Sequence, residues 1–309
     1  MNRKFVFFII LSFFGSFSAH GLVDYSETET VAPAPKAKAR PRAVSKAAAP
    51  TRASSSGPSY SPSGMFDLGM AYKSIDVKSD ETTGKVNVME VKGHLATNFN
   101  IFLDFKYWQA STDIESLTDN SSSQEGNPEV LLGFNWLQFG GGEDGTSVDL
   151  LFGGRFSSSS DLASSRTDKI FGIESVKRFY TFALGLGYRL YMTGTPEDEA
   201  EVDIGNIQKL YATFGWKVSH DISFEVEGAV YNIGNSDSVT RASILKTKES
   251  FGTISPKINL QLGSMVGLGL GATFRTDKVT DTESLIGARL WDMSGVYGSS
   301  IHAGLDISI

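Results

Sequence analysis

The chain has 309 residues, 32 of them glycine, and no cysteine, which excludes a disulfide framework, thiolate metal sites and a lipid-modified N-terminal cysteine. The first 64 residues carry eight Lys or Arg and three acidic residues, so residues 65–309 carry 20 basic and 32 acidic residues and a net charge of −12. A basic N-terminal segment therefore precedes an acidic domain.

Residues 1–21 have the features of a secretory signal peptide. Arg3 and Lys4 supply the positive start, and the apolar run 5–14 is too short to span a membrane as a helix. Small residues such as Ala19 follow, as expected near a cleavage site. An uncleaved membrane anchor is the alternative to a cleaved signal.

Residues 31–63 consist mostly of Ala, Pro, Ser, Lys and Arg, with no acidic residue and almost no large apolar side chain. Such a segment cannot bury enough surface to offset the entropy lost on ordering. We therefore expect 22–63 to be disordered and Pro/Ala/Lys-rich, in part polyproline II. A nucleic-acid role is not expected, because the signal directs the chain away from nucleic acid.

From residue 64 onward, apolar and polar side chains alternate in segments of about ten residues. Each segment predicts a strand with one apolar and one polar face. The last nine residues, 301–309, alternate strictly. The predicted strands are 65–78, 84–96, 99–107, 129–139, 147–157, 180–192, 210–218, 224–230, 257–262, 266–275, 284–292 and 301–309.

The predicted connections are short at 97–100, 219–221 and 263–265, and long and polar at 111–128, 157–169, 193–206 and 234–250. Short turns at one end and long loops at the other are typical of outer-membrane barrels. In this strand count, however, the turns at Ser219 and Gly263 fall at the long-loop end. A strand at 168–177, with 284–292 moved into a surface loop, keeps twelve strands; two added strands give fourteen.

In a bilayer, lipid can cover many separate apolar stripes, provided that the sheet closes and leaves no unpaired edge. The chain resembles the bacterial outer-membrane β-barrel proteins and is broadly porin-like. The terminal strand carries the most specific resemblance, because four of its residues match the pattern of the family's C-terminal assembly signal. The family usually ends in an aromatic residue, and this chain has Ile309 there. The four residues are His302, Gly304, Ile307 and Ile309.

The resemblance implies an all-β fold, a closed antiparallel transmembrane β-barrel of about 12 strands over 64–309, with 10 or 14 strands as alternatives. It implies location in the cell outer membrane, contact with lipid and lipopolysaccharide, and insertion by the barrel assembly machinery. The segment 31–63 is then placed to contact the cell wall or another periplasmic component, or to insert into the barrel.

Some outer-membrane barrels are enzymes, in which a histidine lies beside a serine or paired aspartates. Beyond the signal, the sequence has only His94, His220 and His302, and none has neighbours that suggest such a motif. We therefore expect polar-face or turn roles for them. Metal spacing such as H-E-x-x-H is absent from the sequence. We predict no enzymatic activity, no metal and no cofactor.

Ten charged side chains fall on the polar faces and are predicted to line the lumen: Asp104, Lys106, Asp149, Arg155, Arg189, Lys217, Glu225, Glu227, Lys257 and Arg275. Twelve strands exceed the roughly eight whose side chains fill a barrel, which favours a water-filled conduit over a filled interior. The predicted function is a passive channel for small polar solutes or ions. The alternative is a non-conducting structural or surface-interaction protein.

Two further features bear on the lumen. Glycines on the polar faces, such as Gly187 and Gly271, are attributed to barrel curvature, with the close approach of another backbone as the alternative. The loop 193–206 carries five acidic residues and no basic one, which predicts a preference for cations if the loop lies at the pore mouth. The acidic residues are Glu197, Asp198, Glu199, Glu201 and Asp203.

Overall fold

The computed structural model describes residues 66–78, 82–97, 99–118, 123–141, 144–238, 241, 243–277 and 282–308. The predictions for the signal peptide, for the segment 22–63 and for Ile309 lie outside these residues. No helix in the described part of the chain is long and apolar enough to cross a membrane.

Thirteen strands and one short helix form the described structure. They are β1 (Phe66–Lys78), β2 (Thr83–Ala96), β3 (Ile101–Thr112), β4 (Gln124–Glu125), β5 (Glu129–Gly141), β6 (Asp144–Arg155), β7 (Asp168–Phe179), β8 (Phe182–Met192), β9 (Ile207–Lys217), β10 (Ile222–Ile233), β11 (Glu249–Leu262), β12 (Val266–Arg275), α1 (Thr282–Gly287) and β13 (Ser300–Ser308).

The sheet closes on itself. Each long strand pairs antiparallel with its neighbours along the chain, and β1 pairs with both β2 and β13, so that twelve strands form a ring. The two-residue β4 is an extra strand on β3. Closure leaves no barrel strand with a free edge, which is the condition for a sheet to span a bilayer. The predicted all-β, closed antiparallel barrel of twelve strands is confirmed.

The two ends of the barrel differ in their connections. At the end that holds Phe66 and Ser308, which we call the turn end, the strands are joined by short connections: 97–100, 142–143, 180–181, 218–221 and 263–265. At the opposite end, the loop end, the strand bounds leave a short connection at 79–82 and long ones at 113–128, 156–167, 193–206, 234–248 and 276–299. This is the asymmetry of outer-membrane barrels.

One predicted strand is wrong. Residues 284–292 are not a strand but α1 and the irregular chain after it, whereas 168–179 forms β7. This exchange removes the conflict over the turns at Ser219 and Gly263, and it excludes the fourteen-strand alternative. The apolar side chains of 284–292 are buried inside the barrel rather than turned to lipid, so their alternation did not report a lipid-facing strand.

The outer face of the barrel is apolar. The register aligns Leu132, Phe152 and Phe171 side by side on β5, β6 and β7, and the rings of Phe152 and Phe171 meet edge to face at 5.9 Å. These side chains are 41–50% exposed although they are large and apolar. A band of this kind, on strands whose other face is charged, is stable only when lipid covers it.

Candidate functional site: the barrel lumen

The connection between β12 and β13 folds into the barrel. We call its residues 282–299 the plug. Leu285, Leu290, Trp291 and Val296 are at most 1% exposed. The Tyr297 ring lies 4.0 Å from Trp291 between centroids, and its hydroxyl donates to Leu285 O at 3.0 Å and accepts from Leu290 N at 2.6 Å. These contacts make the plug a compact unit rather than an extended loop.

The plug belongs to an apolar core in the loop-end half of the lumen. Inward-facing side chains of the strands, fully buried there, complete it: Val77, Val86, Trp108, Ile170, Ile207, Ile233 and Phe251. Full burial of one such aliphatic or aromatic side chain contributes about 1.5–3 kcal/mol. The loop-end half is therefore filled, contrary to the expectation of a water-filled conduit along the whole lumen.

A carboxylate of the plug contacts cations of the barrel wall. Asp292 accepts hydrogen bonds from Arg155 Nη1 of β6 at 3.1 Å and from Lys106 Nζ of β3 at 3.0 Å. Lys73 of β1 donates from Nζ to the backbone oxygen of Asp292 at 3.4 Å. The side chains of Asp292 and Arg155 are 2% and 1% exposed, so each needs the other as a counter-charge.

These contacts are part of a longer series, which we call the ion chain. Arg155 also binds Asp168, Asp168 accepts from Arg166 Nε at 3.2 Å, and Arg166 Nη1 donates to Glu201 Oε1 at 3.1 Å. At the other end, Lys106 pairs with Glu129 at 3.1 Å. The order, with alternating sign, is Glu201, Arg166, Asp168, Arg155, Asp292, Lys106 and Glu129. The ion chain thus links the outer loops to the interior of the barrel.

Neighbouring charges set the ionisation of Asp292. Burial alone would raise the pKa of its carboxyl, but the positive charges of Lys106 and Arg155 outweigh burial and hold the pKa well below its usual range. Asp292 is therefore an anion at neutral pH. In the loop 156–167, burial lowers the pKa of the Arg166 guanidinium, although Asp168 favours its charged form.

The outer loops hold the loop-end side of the plug. Arg289 donates from Nη2 to Asp198 Oδ2 at 2.8 Å and from Nη1 to Ala163 O at 3.2 Å. Val202 N donates to Gly287 O at 3.0 Å. These bonds tie the plug to the loops 156–167 and 193–206.

The turn-end half of the lumen contains a polar cavity of about 430 Å³, which we call the vestibule. It extends from Asp67 and Ser308 at the turn end to Asp292, Met293 and Ser294 of the plug. Charged side chains of both signs line it: Asp67, Lys73, Glu90, Lys92, Asp104, Lys106, Glu129, Arg189, Lys209, Glu225, Glu227, Lys257, Asp292 and Asp306. Such a lining holds water and polar solutes.

Many of the vestibule charges are paired, either across neighbouring strands or within one strand. Lys209 Nζ lies 2.8 Å from Glu227 Oε1, and Lys92 Nζ lies 2.6 Å from Glu90 Oε1. Arg189 Nη2 lies 2.5 Å from Glu174 Oε1. Charges of both signs occur on the same strands, such as Lys92 and Glu90 on β2 and Lys106 and Asp104 on β3, so the walls do not divide into one cationic and one anionic side.

All ten predicted lumen residues lie on inward faces, and six line the vestibule: Asp104, Lys106, Arg189, Glu225, Glu227 and Lys257. Arg155 belongs to the ion chain, and Arg275 donates to Val296 O of the plug at 2.7 Å. Asp149 accepts from Asn135 Nδ2 at 2.6 Å, and Lys217 lies at the turn end of β9. Their part in solute passage stays a prediction.

Sequence reasoning missed several charged residues of the lumen: Lys73, Glu90, Lys92, Glu129, Lys209 and Asp292. The alternation in β1 and β2 is weak, so their polar faces were not assigned. Asp292 lies in the segment mistaken for a strand. A long connection rich in Leu, Trp and Tyr between two good strands was the available signal for an inward fold.

The three histidines beyond the predicted signal lie on different elements, β2, the turn 218–221 and β13. His94 Nδ1 lies 2.6 Å from Asp104 Oδ1 at the vestibule wall, and His220 lies 2.8 Å from Asp221 in an exposed turn. His302 lines the vestibule. Across the residues that the structure describes, no group of three or more His, Asp or Glu side chains is arranged to hold a metal ion. The absence of enzymatic activity stays a prediction.

The terminal strand has the predicted two faces. His302 and Gly304 of β13 line the vestibule, whereas Ile307 lies opposite Leu68 on the outer face. A Cβ added at Gly271 would lie 2.3 Å from His302 Nε2, and one at Gly269 would lie 2.6 Å from Lys257 Cε. The space that these inward glycines leave is therefore taken by side chains of neighbouring strands, and their attribution to barrel curvature stays a prediction.

The acidic loop 193–206 lies at the loop end, but its five acids are not equivalent. Glu201 is buried against Arg166, Asp198 pairs with Arg289, and Asp203 accepts from Ser236 Oγ at 2.7 Å. Glu197 and Glu199 remain exposed. The loop therefore offers a weaker field to a passing cation than its composition suggests.

No family model and no curated protein matches the chain. Among solved structures, it is similar to the COG4313 outer membrane channel from Pseudomonas putida F1, with 11% identity, a TM-score of 0.57 and coverage of 80% of this chain and 95% of that one. It is also similar to the NanC porin, with 9% identity, a TM-score of 0.51 and coverage of 79% and 100%.

The KdgM porin, crystallised with disordered oligogalacturonate, matches at 9% identity and a TM-score of 0.46, over 79% of this chain and 99% of that one. At such identities the comparisons establish the fold, and a shared fold does not decide between a channel and another activity. The closed twelve-stranded barrel, its apolar outer band and the likenesses to the COG4313 channel and the NanC porin show a porin-like β-barrel fold, of the kind found in bacterial outer membranes.

Proposed function

We propose that the protein is a gated outer-membrane channel for small polar solutes or ions, whose lumen the plug closes at rest. The observation that carries the proposal is the vestibule, a polar cavity inside a closed barrel that ends on a connecting segment rather than on the barrel wall. Transport would be passive and would need no cofactor and no turnover.

The position of the plug in the chain supports a gate. Among the described residues, each backbone hydrogen-bond ladder of the barrel joins two of the strands β1 to β13. None of these ladders includes residues 282–299. Side-chain contacts and a few loop hydrogen bonds hold the plug. It can therefore move without breaking a hydrogen bond between barrel strands, and a lumen of twelve strands is wider than its own side chains fill.

The second candidate is a non-conducting structural or surface-interaction protein. The apolar packing around Trp291 and the buried ion chain favour it, because both resist movement of the plug. Under either function we propose contact with lipid and lipopolysaccharide outside the barrel, and insertion by the barrel assembly machinery through the terminal strand. A cell-wall or periplasmic partner for 31–63 is likewise a proposal.

Conductance in planar bilayers tests the proposal. Replacement of 282–299 by a short Gly/Ser linker should give a barrel with steady conductance, while the wild type should be closed most of the time. The control carries the same linker inserted into the loop 234–248 and keeps the plug, so it should behave as the wild type. A plug-less barrel that migrates as a folded, heat-modifiable protein and conducts nothing would favour the structural function.

A further inference from the structure

We infer that the barrel contains an anion site at the inner end of the vestibule, that the Asp292 carboxylate occupies it as an internal ligand, and that a carboxylate of a solute competes for it. Displacement of Asp292 would release the vestibule-facing part of the plug. The link from release to opening rests on the proposed function; the anion site itself does not.

The site and its occupant belong to different parts of the structure. Its cations, Arg155, Lys106 and Lys73, lie on β6, β3 and β1, whose positions the barrel ladder fixes. The plug contributes Asp292, with contacts of 3.0 Å to Lys106 and 3.1 Å to Arg155. Loss of Asp292 from the site therefore leaves the cations in place, ready to bind another anion.

Asp292 is the carboxylate that bridges two cations of the barrel wall. Arg155 Nη1 and Lys106 Nζ each contact one of its oxygens, while Arg155 keeps Asp168 and Lys106 keeps Glu129 as a second partner. When Asp292 leaves, these two donors still face the place that its carboxylate held. An anion can accept from both donors, whereas a cation is repelled by them and a neutral solute brings no charge.

A solute can reach the site from the vestibule. The cavity is lined by Lys73, Lys106 and Asp292. The side chain of Lys106 is more exposed than that of Asp292, at 17% against 2%. Arg155 lies deeper, at 1% exposure. An arriving carboxylate therefore meets Lys106 first and reaches Arg155 only as Asp292 leaves.

The bridging geometry of the site favours a carboxylate as the competing anion. Arg155 already uses one side of its guanidinium for Asp168 through Nε and Nη2, which leaves Nη1 for the group in the site. The two oxygens of Asp292 divide between Arg155 and Lys106. A solute carboxylate can reproduce this bridge, whereas the matching primary amide has one oxygen and brings no charge.

Hydrogen exchange on the full chain in lipid nanodiscs tests the inference, with succinate as the probe and succinamide as its neutral counterpart at equal ionic strength. Succinate should accelerate exchange of the amides of Leu290 to Tyr297 in the wild type, and succinamide should not. Asp292→Asn should exchange there roughly tenfold faster without any ligand, and succinate should add nothing further.

Two lysine variants sharpen the assignment. Lys106→Gln should lose the response to succinate, whereas Lys217→Gln, an inward lysine outside the vestibule, should retain it. Equal effects of succinate and succinamide on the wild type, or slow exchange in a folded Asp292→Asn barrel, would overturn the inference.

Conductance separates this inference from the proposed function. Succinate-dependent exchange together with a silent plug-less barrel would keep the anion site and reject the channel. Conductance of the plug-less barrel with no effect of succinate on exchange would keep the channel and reject the anion site.

Discussion

Arg155 Nη1 donates to Asp292 Oδ1 at 3.1 Å across 137 positions of the chain. Arg155 ends a barrel strand and Asp292 lies in the plug, so this contact joins the barrel wall to the plug at the inner end of the vestibule, which Asp292 lines. The buried contact is stabilised because Asp168 accepts hydrogen bonds from the other side of the guanidinium and Lys106 donates one to the second oxygen of the Asp292 carboxylate. Four strongly constrained charges thus fix the resting position of a connecting segment.

Removal of the Arg155 charge should destabilise the protein strongly. Arg155→Met leaves Asp168 and Asp292 buried without their shared cation, and breaking a buried pair in this way costs about 3–5 kcal/mol. Equilibrium unfolding in guanidinium chloride from lipid vesicles measures the loss. Lys177→Met is the matched control, because the Lys177–Asp144 pair is 39% and 53% exposed and should contribute about 1 kcal/mol or less. Equal losses for the two variants would contradict the role of the ion chain.

Two glycine substitutions should have opposite consequences. Gly271→Ala places a methyl group 2.3 Å from His302 Nε2 and 2.7 Å from Pro256 O, so the variant should lose about 1–3 kcal/mol of unfolding free energy. Gly228→Ala meets nothing within 4 Å and should be neutral or more stable by up to about 1 kcal/mol. The same unfolding titration compares them. A harmless Gly271→Ala would show that the strands shift easily at this point.

Depth in the membrane should govern the cost of a charge on the outer face. Leu270 lies outward at mid-strand between Ile258 and Ala303, so Leu270→Arg should cost about 2–4 kcal/mol in vesicles. Gln208→Arg, also outward but near the loop end of β9, should cost about 0–1 kcal/mol. A Leu270→Arg barrel as stable as the wild type would show that this face does not contact lipid.

The plug should remain closed on moderate acidification. The pKa of the Asp292 carboxyl is lowered in the folded protein, so its contribution to stability is fully present above the unfolded-state pKa of about 3.9 and is lost only as the pH falls through the lower folded value. Hydrogen exchange at Met293, corrected for intrinsic rates, should therefore give the same protection at pH 7 and pH 5. A marked loss of protection by pH 5 would assign control of the plug to another group.

The barrel was predictable because its signal is local. Alternation in stretches such as 180–192 predicts which side chains face lipid, and short turns such as 263–265 predict where the chain reverses. The lumen-facing positions of Lys106, Arg189 and Glu227 follow from the same period of two, since a residue opposite a lipid-facing stripe must point inward.

The plug and the vestibule were decided by the tertiary structure. The stretch 284–292 has apolar side chains that suit either lipid or a packed interior, and only the closed ring of strands shows that they fill the lumen. Likewise, the partners of Asp292 come from β3 and β6, far apart in the chain, and no spacing in the sequence relates them. Alternation is a property of neighbours along one strand, whereas the balance of buried charge depends on which strands the barrel closure brings face to face.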